Sequence, residues 1–161
     1  MRSPSRKIHG YLLNTLPLLA LLAVLPGLGY AQQSQPGWLA DAAGCRVWNP
    51  FPNPEESIKW EGRCVDGFVD GRGRMLWFES GQLVETDEGE YKNGKLNGFA
   101  VLAFTDGQRF EGNFVDHLPH GQGTLRTADG QTFSGQWSYG CFRDGNQMKA
   151  FGTTLDSCEF H

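Results

Sequence analysis

The residues of this chain best suited to chemistry are two neighbouring histidines, a scatter of carboxylates and four cysteines. His117 and His120 form an H-x-x-H, which on a helix would place two imidazoles on one face and make half of a zinc site. Here the pair sits between Asp116 and Gly121, in a stretch of turn-forming residues with no third ligand implied. No metal and no cofactor is expected. Asp66, Asp70, Glu79, Asp106, Asp116 and Asp129 could offer an acid and a base for glycosidic hydrolysis. Most of them fall in turn positions, where Asp is favoured for bonding to nearby backbone. There is no G-x-S-x-G, no P-loop and no Cys–His pair, so no catalytic residue is assigned and the chain is not read as an enzyme.

Cys45, Cys64, Cys141 and Cys158 carry no C-x-x-C spacing, which removes zinc-ribbon and thioredoxin chemistry. Their compartment decides their role. Arg2, Arg6 and Lys7 open the chain, the run Leu16 to Pro26 is apolar throughout, and small residues Gly29 and Ala31 follow. That order fits a secretory leader over residues 1–31, cleaved near Ala31, and the apolar run is short for a bilayer span. The expected product is periplasmic or extracellular, where an even cysteine count reads as two disulfides. Three pairings are possible; Cys45 with Cys64 and Cys141 with Cys158 close the shortest loops and are preferred. An Ala-Ala-Gly-Cys box at Cys45 suggests lipid attachment, but Asp41 and the distance from the apolar run argue against it.

The leader removes three of the 14 basic residues and none of the 18 acidic ones, leaving eleven against eighteen, a net charge of −7. No Lys/Arg cluster remains. Nucleic acid is therefore excluded and an anionic membrane surface disfavoured, since both are held through phosphate neutralisation.

The elements that position these residues follow from the glycines. Aligned on Gly62, Gly89, Gly112 and Gly135, the chain repeats with spacings of 27, 23 and 23 residues. Two positions before each anchor stand Trp60, Asp87, Phe110 and Phe133, and two after stand Cys64, Tyr91, Phe114 and Trp137. Five after come Gly67, Gly94, His117 and Gly140; nine after, Gly71, Gly98 and Gly121; eleven after, Gly73, Ala100 and Gly123; thirteen after, Met75, Leu102 and Leu125. Alternation puts the rings and the anchor glycine on one strand face. Turn stretches such as KNGKLNG then reverse the chain into a hairpin. One hairpin buries too little to stand alone, so stacking at this period must create the core.

This pattern, Y-x-G-x-[WF]-x-x-G-x-x-x-G-x-G closing on D-G, resembles the MORN (membrane occupation and recognition nexus) repeat, from Trp60 to about Arg143. The opening CRVWNPFPNPEESIKWEGRC is similar to that of secreted bacterial MORN proteins. The resemblance implies an all-β fold: an elongated, single-layer antiparallel sheet of stacked hairpins, used elsewhere for partner binding, dimerisation or phospholipid association. The expected layout is an N-terminal cap over 32–58, the repeat sheet over 59–143 and a C-terminal cap over 144–161, both caps tethered by disulfides. Trp60, Gly62, Tyr91, Phe110, Gly112, Phe114, Phe133, Gly135 and Trp137 are the expected repeat core. Asp87, standing in a ring position beside the longer spacing, predicts a bulge at that junction.

On the face opposite the rings, Val65, Leu76, Phe78, Phe99, Val101 and Ala103 form a candidate binding or packing patch that the third repeat lacks. The terminal segments, with Trp38, Val47, Trp48 and Phe51, are expected to cover it, because exposed apolar patches are uncommon. The functional expectation is a non-enzymatic interaction or scaffold module of the cell envelope. Its partner would be a protein or envelope component, or a second copy in a homodimer. The alternatives are a carbohydrate- or peptidoglycan-binding module using Trp38, Trp48 and Trp77 as sugar platforms, and a hydrolase using the turn carboxylates.

Overall fold

The computed structural model describes residues 37–158, so the expected leader over 1–31 lies outside the described residues. Eleven strands build one open sheet. They are β1 (Gly37–Ala40), β2 (Arg46–Asn49), β3 (Glu56–Val65), β4 (Phe68–Glu79), β5 (Gln82–Lys92), β6 (Lys95–Phe104), β7 (Arg109–Val115), β8 (Leu118–Arg126), β9 (Thr132–Ser138), β10 (Cys141–Asp144) and β11 (Gln147–Ala150). Strands β3 to β11 follow one another as antiparallel neighbours. The β1–β2 hairpin joins β4 through one parallel bridge, Arg46 to Phe68. The sheet thus continues past residue 143, because β11 pairs back onto β10.

The repeat columns have distinct physical jobs. Asp66–Gly67, Asn93–Gly94, Asp116–His117 and Tyr139–Gly140 are two-residue turns with both φ values positive. That geometry matches the twist of the flanking strands and explains glycine in three of the four second positions. Successive turns are laced together: the amides of Gly94, His117 and Gly140 donate to the carbonyls of Val69, Leu96 and Pro119 at 2.8–2.9 Å. Gly71, Gly98 and Gly121, also at positive φ, lie where the outgoing strand carries three residues against one on its partner. A bulge therefore recurs in each of the first three units, increasing local twist; the period alone did not disclose it.

Rings lie flat across glycine. A Cβ built on Gly62 or Gly73 would meet the Trp60 indole at 2.3 Å, and one on Gly123 would meet Phe110 at 2.7 Å. Where Asp87 replaces the ring, the second glycine is no longer needed, and Ala100 occupies that space fully buried. The bulge expected at that longer junction is present, a few residues before Asp87. Asp87 pairs regularly with Met75 and Leu102, and the register slips between Trp77 and Phe78. The longer spacing is taken up by length, with β4 at 12 residues and β5 at 11.

The core is one cluster on the ring face, running from Val47 and Trp60 through Tyr91, Phe110 and Trp137 to Phe142. Gly62, beneath the Trp60 ring, is exposed on its other side. Disulfides join Cys45 to Cys64 and Cys141 to Cys158, and none of the four cysteines is free. Each ties a terminal segment to the sheet.

Candidate functional site

Both terminal segments cross the ring face, contrary to the expectation that they cover the opposite one. Trp48 donates its amide to the Gly94 carbonyl at 2.8 Å, and Phe151 donates to Gly140 at 2.8 Å. From the C-terminal side, Phe151 stacks on Phe110 with ring centres 5.1 Å apart and meets Phe104 edge-on. The physical reason is that the ring face supplies deep aromatic surface, whereas the opposite face is broken up by charges. Phe99 there remains 53% exposed and Val65 38% exposed, with Leu76, Phe78 and Val101 half-buried.

Where the two segments approach each other they leave a cavity of about 410 Å³. Its walls include Phe51, Phe104, Phe114 and Phe151, and its floor includes Trp77, Glu85 and Asp87. Glu56 also reaches it from β3. Asp87 is 1% exposed. Its Oδ2 accepts from Trp77 Nε1 at 2.8 Å and from the Tyr91 hydroxyl at 3.1 Å. Its Oδ1 has no protein donor. Burial, aided by the neighbouring Asp87 charge, pushes the Glu85 carboxyl well above its usual range. Burial also raises Asp87, against hydrogen bonds that favour its charged form, and raises the Tyr91 phenol. The Glu56 carboxylate is held by Asn49 Nδ2 at 2.7 Å and the Asn53 amide at 2.9 Å. Among the described residues no group of three or more His, Cys, Asp or Glu is placed to hold a metal ion.

The turn carboxylates singled out in sequence do not meet here. Asp70 pairs with Arg63 at 2.7 Å, and that hydrogen bond holds its carboxyl below the usual range. Asp106 caps its own turn through Gln108, and Asp129 does so through Thr127 and Gln131. Glu79 accepts from Asn53. Trp77 is buried rather than a platform, and Trp38 meets Trp48 and Phe68 edge-on. The acidic cavity floor went unread because Glu56, Glu85 and Asp87 lie on two strands with no common spacing. Its one visible signal was the carboxylate in a ring column.

The histidines also part company. His120 packs against Tyr139, with ring centres 4.6 Å apart. His117 lines the cavity and occupies a turn position at φ 73° where the other units carry glycine. Its Nδ1 accepts the Leu96 amide at 3.3 Å. Burial, helped by the Lys95 charge, pulls its pKa down to about 4. An unfolded histidine titrates near 6.5. Between those values the unfolded chain binds the proton and the folded one does not, so this group's contribution is full above about pH 6.5 and is lost as pH falls towards 4. The raised Glu85–Asp87 pair acts in the opposite sense, holding protons more tightly in the fold. Comparing wild type with His117→Gly isolates the histidine term. The difference between them should change by at most about 3 kcal/mol between neutral and mildly acidic pH, less where water reaches the ring. Urea unfolding at several pH values measures it; a pH-independent difference would contradict the buried neutral imidazole.

The fold and its repeating lattice of rings over glycine define a protein assembled from β-hairpin units. Comparison with known families names the unit: the MORN repeat model matches residues 88–109 and 110–132, so this chain carries MORN repeats. It is 30% identical over 122 residues to alsin from Rattus norvegicus, Mus musculus and Homo sapiens, covering 53% of this chain. The match spans 7% of those proteins' length. MORN repeats mark a repeat-based protein-interaction module.

Proposed function

We propose that this protein is a non-enzymatic interaction module of the cell envelope, docking a protein partner on the sheet face opposite the rings. The observation that supports this is the uncovered Phe99, left in water although both terminal segments could have been used to bury it. Around the apolar residues stand the ion pairs Lys59–Glu61 at 2.6 Å, Arg74–Glu88 at 3.7 Å and Arg109–Glu111 at 2.8 Å. An apolar centre within a rim of mixed charge is the usual anatomy of a protein interface. Export is supported by the leader pattern and by two disulfides, which persist in oxidising compartments.

Phe99→Glu tests the docking face. Its side chain already faces water, so stability should change by no more than about 0.5 kcal/mol. Envelope species crosslinked to wild type should disappear with this variant and persist with Thr132→Glu on the same face at β9. A loss of dimer in sedimentation velocity would identify the partner as a second copy. An unchanged crosslinking and sedimentation profile would overturn the proposal.

A further inference from the structure

The cavity on the ring face is independent of that docking surface and has its own chemistry. Its floor carries the carboxyls of Glu56, Glu85 and Asp87, and Lys149 at its wall already lies over the Phe133 ring, 5.6 Å from the centre. Asp87, whose Oδ1 is buried and without a protein donor, is among the residues lining this space beside Glu85. A buried acceptor left unmet costs about 1–3 kcal/mol, so Asp87 needs either a proton shared with Glu85 or a donating ligand beside the pair. Phe51, Phe104 and Phe151 present aromatic surface around it, which attracts a cation as well as apolar carbon. At about 410 Å³ the space suits a compact organic molecule.

We propose that this cavity binds a small organic ammonium, its N–H groups donating to the Glu85–Asp87 carboxyl pair and its carbon body lying against Phe51, Phe104 and Phe151. Without ligand, a proton kept on Glu85 can serve as the missing donor to Asp87. An arriving R–NH3+ supplies donors and charge together, so that proton leaves for solvent. The pair carries one negative charge before and two after, and the ligand's positive charge offsets the change. The other titratable groups facing the pair are Glu56 from β3, Tyr91 from β5, His117 from the β7–β8 turn and Lys149 from β11.

Titration calorimetry on the disulfide-bonded protein tests this with n-butylammonium, 1-butanol, N-acetylglucosamine and Nα-acetyl-lysine amide. n-Butylammonium should bind at least tenfold more tightly than 1-butanol. One proton should be released per ligand, read from the dependence of heat on buffer ionisation. Affinity should then rise about tenfold per pH unit while the pair holds its proton. Binding of Nα-acetyl-lysine amide at least as tight as n-butylammonium would point to a lysine side chain as the natural source, and weaker binding to a free amine. Glu85→Gln places a permanent amide donor on Asp87 and removes the displaceable proton, so affinity should fall and the pH slope vanish while tryptophan fluorescence stays native. Asp87→Asn should weaken binding at least tenfold, whereas Phe99→Glu should leave it unchanged. Equal binding of 1-butanol and n-butylammonium, ammonium binding without proton release, or binding of the sugar alone would each overturn the proposal.

Discussion

Replacing Phe110 with alanine should destabilise the protein by about 3–5 kcal/mol, the range for emptying a large, rigidly walled aromatic site. Phe110 has no exposed surface, and its ring meets Phe114 at 5.1 Å, Trp137 at 5.2 Å and Phe151 at 5.1 Å between centres. It also roofs Gly112 and Gly123, which have no side chains to move into the space. Collapse is therefore restricted and most of the cavity should persist. Urea unfolding monitored by tryptophan fluorescence measures the loss. A fall below about 1 kcal/mol would show that the ring column is not the principal core.

Cutting the C-terminal staple should come next in size. Cys141→Ser with Cys158→Ser opens a loop with a sequence separation of 17, for which chain entropy alone gives about 3 kcal/mol. The released segment carries Phe151, which stacks on Phe110, so the two predictions are coupled. Removing the staple in a Phe110→Ala background should cost at least about 0.5 kcal/mol less than in wild type. A double-mutant cycle reads this directly. Strict additivity would mean that the tail is held by its disulfide and backbone bonds, and that the ring contact contributes nothing to its docking.

Much of the fold was legible because each column has a single local cause. A glycine five residues after the anchor signals a turn with positive φ, and rings two residues either side of the anchor signal the buried face. The neighbour pairing of cysteines followed from loop length and agrees with the structure. What escaped depends on three-dimensional paths that no period encodes. Residues 45–51 and 147–153 repeat nothing, so their choice of sheet face could not be deduced. The polar network of Trp77, Asp87 and Tyr91 joins two adjacent strands and was visible only as an anomaly. That anomaly was double: Asp87 in a ring column and Ala100 in a glycine column are one substitution seen twice, since the ring and the gap beneath it vanish together.

The meeting of the two terminal segments over the ring face also bears on how this molecule can change in evolution. Trp48, Pro50 and Phe51 from one end share a second cavity with Gly152, Thr153 and Ser157 from the other, above His117. An open hairpin ladder tolerates duplication, since each unit contacts only its neighbours. Here one added unit brings two strands and moves the ends apart by about 10 Å. The tails would no longer reach each other, and both cavities would open. Copy number in this protein is thus a fixed dimension, and a longer descendant must first lengthen a tail.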